Sequence, residues 1–189
     1  MRFPRRRKYR VIYADPPWAF SSGPSRNPRN HYPTMKVAAI AALPVAAIAN
    51  ASGSRLLMWT TIPFLEHSFT VIRAWGFRYV SARVWIKTQK GHVGRYFAIE
   101  DLFRGTGYEN IGNAEILLVA KRGRPAPARG RKPFGVIVSP RREHSRKPDE
   151  VRAEIARCFA GPRIELFARS RSPGWDAWGN ETGKFKEAA

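Results

Sequence analysis

A chain of 189 residues with 34 Lys and Arg against 14 Asp and Glu carries a formal net charge of +20, an excess that draws a folded domain toward a polyanion, nucleic acid first. Hydrophobic residues at 43% and aromatics at 12% exclude wholesale disorder and suit one domain with a sizeable core. A single cysteine, Cys158, excludes a disulfide framework and a Cys-rich zinc site and agrees with a reducing cytoplasm, no apolar run reaches the ~20 residues of a bilayer span, and the basic start of the chain lacks the apolar run of a secretory signal.

Residues 1–9, with Arg2, Arg5, Arg6, Arg7 and Lys8, read as a flexible basic arm. A strand is expected over Tyr9–Ala14, ending at Asp15-Pro16-Pro17-Trp18. The Ser/Pro/Arg/Asn-rich stretch Ser21–His31 reads as a loop. Thr34 is placed to cap a helix beginning near Lys36, with Val37, Ile40 and Leu43 on one stripe. Arg55–Thr60 has the pattern of a buried strand. Pro63 opens a helix bearing Phe64, Leu65, Phe69, Ile72 and Trp75, which Gly76 ends in a left-handed conformation. Phe77–Lys87 is extended, and Gln89–Asn113 reads as a long functional loop. Then come a strand at Glu115–Ala120, a basic loop at Lys121–Pro133, and a short strand at Phe134–Val138. An amphipathic helix spans Pro148–Phe159 with Val151, Ile155 and Phe159 inward. Gly161-Pro162 stops it, and Arg163–Ala168 is the last strong strand.

Neither an internal repeat nor a linker divides the chain, so residues 10–182 read as one domain followed by a short tail, 183–189. Strands alternate with helices, which predicts an α/β fold: a largely parallel sheet with helices on both faces. Ligands of such sheets sit beyond the carboxyl ends of the strands. Asp15 and Arg169 stand at two of those ends.

The tetrapeptide Asp15-Pro16-Pro17-Trp18 carries the chemistry. Two prolines remove two N–H donors and stiffen the backbone. The Pro16 carbonyl is then expected to be free to face a ligand, beside the Asp15 carboxylate and the flat face of Trp18. An exocyclic amine of a nucleobase is a poor nucleophile because its lone pair is delocalised into the ring. Two acceptors holding its two N–H groups favour a tetrahedral nitrogen that attacks a sulfonium methyl in line, while Trp18 stacks on the base. In a duplex the base must first be flipped out, at a cost of a few kcal/mol. A strand-to-turn transition with a core tryptophan would use the same four residues structurally.

Several further segments occur alongside it: HYPTM at 31–35, LPV at 43–45, Trp59-Thr60, AWGF at 74–77, VWIKT at 84–88, EILLVAKRG at 115–123, PRREHSRKPDEV at 140–151, and ELFAR followed by GWDAWGNE at 165–181. In this order the motifs resemble the family named for the seventy-kilodalton catalytic subunit of the mRNA adenosine N6-methyltransferase, over Arg10 to Glu181. The resemblance implies a Rossmann-like, AdoMet-dependent methyltransferase with S-adenosyl-L-methionine (AdoMet) as methyl donor and Asp15, Pro16, Pro17 and Trp18 as the catalytic motif. It implies that the backbone of Ile12 and Tyr13 lies near the cofactor adenine and that Lys147 sits near the methionine carboxylate. Arg169 and Asn180 match positions on the cofactor's ribose and adenine, and Glu181 stands where the eukaryotic enzymes carry Gln. Phe167 lies in the same ELFAR segment and reads as core more than ligand. His144 is open between cofactor, nucleic acid and solvent, and Trp175 and Trp178 read as packing residues.

No complete GxGxxG occurs, since Gly105-x-Gly107 is followed by Asn110. Near Gly107-Tyr108, Glu109 and Ile111 replace the aromatic and basic residues of many relatives, which bears on substrate choice. The expected activity is methylation of adenine N6, with DNA ahead of RNA because the chain is short and resembles compact prokaryotic or phage members. The arm and Lys121–Lys132 are expected to hold phosphates. The competing reading is a non-catalytic nucleic-acid-binding subunit of a methyltransferase complex.

Overall fold

The computed structural model describes residues 3–4, 7–19, 33–92, 96–105, 109–143 and 145–184. The expected loop at 21–31, the residues Gly107 and Tyr108, and His144 lie outside them.

Seven strands form one sheet: β1 (Val11–Ala14), β2 (Gly53–Thr60), β3 (Arg78–Thr88), β4 (Ala114–Gly123), β5 (Val136–Pro140), β6 (Arg163–Leu166) and β7 (Asp176–Trp178), in the order β5-β3-β4-β2-β1-β6-β7. Four of the six pairings are parallel; β4 runs antiparallel to both neighbours, so the sheet is mixed. β1 and β2 are buried at every position, as strands covered on both faces must be.

Alternation along β1 divides the core. Ile12 and Ala14 face Leu56, Met58 and Leu118 under helices α1 (Val37–Ala41), α2 (Val45–Ile48) and α3 (Leu65–Ala74). Val11 and Tyr13 face Leu57, Trp59, Leu117 and Ile137 under α4 (Asp149–Cys158), which contributes Val151, Ile155 and Cys158, with Phe159 just beyond it. Helices thus cover both faces.

α3 ends as the sequence predicts. Gly76 has φ +76°, its N–H donates to the Arg73 carbonyl (2.9 Å), and the Phe77 N–H donates to the Ile72 carbonyl (3.0 Å), a Schellman closure. Thr34 does not cap α1, whose N-cap is Lys36 without a side-chain bond. The single helix expected there is split, because Pro44 drives Leu43 out of helical geometry. β4 outruns its expected end at Ala120 and reaches Gly123, where it pairs with Gly53. β7 is a strand where sequence showed only packing tryptophans.

The arm is not a free tail along its described residues. Phe3 packs on Trp178 with centroids 5.0 Å apart, Arg7 pairs with Asp176 (3.2 Å), and Tyr9 is a core residue.

Candidate active site

The carboxyl ends of β1, β2, β3, β5 and β6 share one edge of the sheet. β4, running the other way, brings its amino end to that edge: Glu115 opposite Trp85 and Ile116 opposite Thr60. Asp15, one residue beyond β1, is the centre of what gathers there. The Lys147 Nζ lies 2.9 Å from both Asp15 carboxylate oxygens and 3.2 Å from Glu115 Oε2. Glu115 Oε1 in turn accepts from Lys87 Nζ at 2.6 Å. Arg169 places Nη2 3.9 Å from Asp15 and Nε 3.8 Å from Glu181.

These groups are largely withdrawn from water, and their titration follows from that. Burial alone would pull the Lys147 ammonium down, but the Asp15 and Glu115 carboxylates override it and hold the lysine above its usual value. Burial alone would push Glu115 up, yet Lys147 and Lys87 hold it below the usual carboxylate range. Next to them, burial pushes the Glu165 carboxyl up to about 7, although Arg152 stands 2.9 Å away. Burial, with Glu165 beside it, also raises the Tyr13 phenol well above its ordinary value.

Tyr13, Asp15, Lys147, Glu165, Phe167 and Arg169 line a cavity of about 30 Å³, together with Ser145 and residues at the start of α4. Ser145 (φ 66°) and Phe167 (φ 61°) are the non-glycine residues with positive φ among those described, and both line it. Such strain collects at ligand sites. Gly179 is required nearby, because a Cβ there would lie 2.4 Å from the Ala168 carbonyl oxygen. That close approach carries the chain from β7 to Asn180 and Glu181.

The structure therefore brings Tyr13, Asp15, Lys147, Phe167, Arg169 and Glu181 together. Ile12 is fully buried with its side chain toward the opposite face. Asn180 is exposed and does not line the cavity. Two sequence expectations need correction. The Pro16 carbonyl is not free, since it accepts the Trp18 N–H at 2.9 Å in a tight turn, which leaves one lone pair. Trp18 presents no open ring face: it is 4% exposed, stacked on Phe64 at 5.4 Å, with its indole N–H toward the Trp59 carbonyl (3.4 Å). It anchors the motif to the core.

Two of the cations expected from sequence to hold phosphates lie elsewhere. Arg7 precedes β1, and Arg124 follows β4 beside Ser52, so both stand at the amino ends of the parallel strands. That is about 25 Å from Asp15 along a strand the length of β2. The cations on the site's own edge include Lys87, Lys90, Arg104 and Arg141.

The model of the family described as MT-A70 matches residues 9–181. The chain belongs to the MT-A70 family. Membership makes it one of a family of N6-adenine methyltransferases, which act on nucleic acid and imply AdoMet as methyl donor. It is 35% identical to the type II methyltransferase M.MunI of a Mycoplasma species, over 93% of this chain and 78% of that one. It is 32% identical to a putative N(6)-adenosine-methyltransferase MT-A70-like protein of Medicago truncatula, over 92% of this chain and 26% of that one. To the N(6)-adenosine-methyltransferase catalytic subunit METTL3 of Homo sapiens it is 28% identical, over 92% and 28% respectively. This chain therefore spans only about a quarter of the length of the last two.

Against the MT-A70 motifs, sequence reasoning missed Glu115, Lys87 and Glu165 as members of the site. Glu115 and Lys87 carried a signal, being charged residues at the mouths of apolar strands (EILLVA and VWIK) on what proves to be one edge. No helix among the described residues is long and apolar enough to cross a membrane.

Proposed function

We propose that this chain transfers a methyl group from AdoMet to the exocyclic N6 of adenine in DNA, with residues 10–182 as the catalytic domain. The observation that carries the reading is the Asp15 carboxylate, fixed at the end of β1 by both its oxygens on Lys147.

The donor set suits AdoMet. Lys147 is a cation for the methionine carboxylate, Arg169 a donor and Glu181 an acceptor for the ribose and adenine, and Phe167 offers an apolar flank beside them. Tyr13 lines the cavity with the backbone of Ile12 just before it, and Asn180 follows the close turn at Gly179, next to Glu181. AdoMet, when bound, supplies an electrophilic sulfonium methyl. The protein's part is to hold the amine. Asp15 accepts one N–H of the base, and the remaining lone pair of Pro16 accepts the other. Pro17 and Trp18 keep this pair of acceptors rigid, because Trp18 is locked into the core. The Asp15 carboxylate is itself held by Lys147, so it need not reorganise as charge develops on the nitrogen.

The excess of cations supports a polyanionic substrate, and the match to a type II methyltransferase over most of both chains supports DNA. RNA is the second reading, favoured by the relatives named as adenosine methyltransferases.

The test is methyl transfer from labelled AdoMet to single-stranded DNA, duplex DNA and RNA, with the nucleosides resolved by mass spectrometry. N6-methyladenine in DNA, abolished in Asp15→Ala, is expected, and Lys147→Ala should weaken AdoMet binding by about tenfold or more in calorimetry. Product only in RNA would replace DNA with RNA. AdoMet and oligonucleotide binding without product on any substrate would leave a binding subunit instead.

A further inference from the structure

With Arg7 and the 121–132 segment at the far end of the sheet, the substrate strand near Asp15 needs cations on the site's own edge. A cleft of about 250 Å³ stands at the correct end, lined by Gln89, Lys90, Phe103, Arg104 and Arg141. It forms where the segment after β3 folds back on that strand. The Gln89 N–H donates to the Asp101 carbonyl (2.8 Å), the Phe103 N–H to the Lys87 carbonyl (2.8 Å), and the Arg141 N–H to the Thr88 carbonyl (2.9 Å). The floor is therefore pinned by backbone bonds to the ends of β3 and β5.

The side chains on that floor are arranged for an anion. The Arg141 guanidinium carbon lies 4.6 Å from the Phe103 ring centroid. Stacking of this kind engages the face of the guanidinium and leaves its N–H edge for a ligand. Among the described residues, Lys90, Arg104 and Arg141 form no ion pair with any carboxylate. The adjacent Asp101 is turned away: its carboxylate accepts the Ala98 N–H (2.8 Å) and faces His92 (3.8 Å). Three cations without a carboxylate partner around one aromatic ring match a phosphodiester.

A chain of contacts links the strand under the cleft to the site. Lys87, one residue before the Thr88 anchor, begins the chain of contacts through Glu115 and Lys147 to Asp15. β3 lies three strand positions from β1, or about 14 Å at the usual strand spacing.

We propose that this cleft is a substrate subsite that binds a backbone phosphate of the methylated strand, roughly two to four nucleotides from the target adenine at the phosphate spacing of a nucleic-acid strand. It rests on the reading of the chain as a nucleic-acid methyltransferase, but its test is separable from that reading. Fluorescently labelled single-stranded and duplex DNA oligonucleotides containing adenine would be titrated, over a range of salt, with wild type, with the triple variant Lys90→Gln/Arg104→Gln/Arg141→Gln, and with Arg78→Gln, which removes an exposed cation at the far end of β3. The triple variant should bind about tenfold or more weakly, and its slope of log affinity against log salt should fall by about one, as expected for one lost phosphate contact. Its AdoMet affinity and its turnover at saturating oligonucleotide should stay within about twofold of wild type. Arg78→Gln should behave as wild type. If the triple variant fails to fold, Lys90→Gln and Arg104→Gln, both at exposed positions, should each weaken binding and lower the slope, by no more than about 0.9. A slope and affinity no different from those of Arg78→Gln would overturn the subsite. Loss of binding in the variants with no methyl transfer by wild type would uphold the subsite and overturn the catalytic reading.

Discussion

Glu115 is the residue on which the site's charges depend, and replacing it with Gln tests the electrostatic account directly. In the native chain its two oxygens are divided between Lys87 at 2.6 Å and Lys147 at 3.2 Å, and all three side chains are no more than 15% exposed. Glu115→Gln leaves Lys147 on Asp15 but strips Lys87 of its carboxylate, leaving it a neutral amide and the Trp85 ring 5.0 Å away. Breaking a buried pair on one side costs about 3–5 kcal/mol, because the remaining charge stays desolvated. For a domain of this size that lowers Tm by roughly 10 °C. The double variant Lys87→Met/Glu115→Leu removes both partners and should recover most of the loss.

The pH dependence follows from the same contacts. The folded Glu115 carboxyl lies below its unfolded value, so its contribution is fully present above the unfolded pKa and is lost as pH falls through the depressed folded one. Urea denaturation at neutral and acidic pH would measure both effects. The gap between wild type and Glu115→Gln should be full at neutrality and shrink in acid. A single variant within 1 kcal/mol of wild type at neutral pH, or a double variant no better than the single, would refute this account.

Glu165 should give the opposite slope. Its folded value, about 7, lies above the unfolded one, so the wild type should lose stability as pH rises from about 4.5 through 7, by at most about 3 kcal/mol. Glu165→Gln should flatten that decline, as denaturation across this range would show. Trp18→Ala should cost about 3–5 kcal/mol of folding stability, as expected for a packed ring stacked on Phe64. A loss under 1 kcal/mol in the same assay would mean the ring is presented to ligand after all.

Much of the fold was legible because local pattern and tertiary role agreed. β1 and β2 are apolar throughout, and the Gly76 closure of α3 is written into AWGF. What escaped the sequence depends on distant partners. β7 is a strand only because Asp176–Trp178 lies beside β6. The end of β4 looks like loop, since Lys121 and Arg122 are charged, but Arg55 and Ser54 of β2 hold it in register. The direction of β4 leaves no trace in its residues, and that direction carries Glu115 to the site. Asp15, Lys147 and Arg169 could be found from motifs. Glu115 and Lys87 could be recognised only once strands β3 and β4 were known to meet there.

The site's charges and the chain's charge do different work. At the carboxyl edge, Asp15, Glu115 and Glu181 stand against Lys87, Lys147, Arg169 and Lys184, three anions to four cations. Nearly all of the chain's net +20 therefore resides outside this cluster. Exposed cations acting on phosphates through solvent are screened by salt, whereas paired charges out of water are screened far less. Binding of nucleic acid and the chemistry on the base should then separate under salt. Between 50 and 200 mM, KM for the oligonucleotide should rise on the order of a hundredfold if about four phosphates are contacted, while kcat at saturating substrate changes by less than about twofold. If kcat instead fell in step with the rise in KM, the surface charge would be acting on the reacting groups themselves. The paired cluster around Asp15 would then not be the insulated centre that its ion pairs describe.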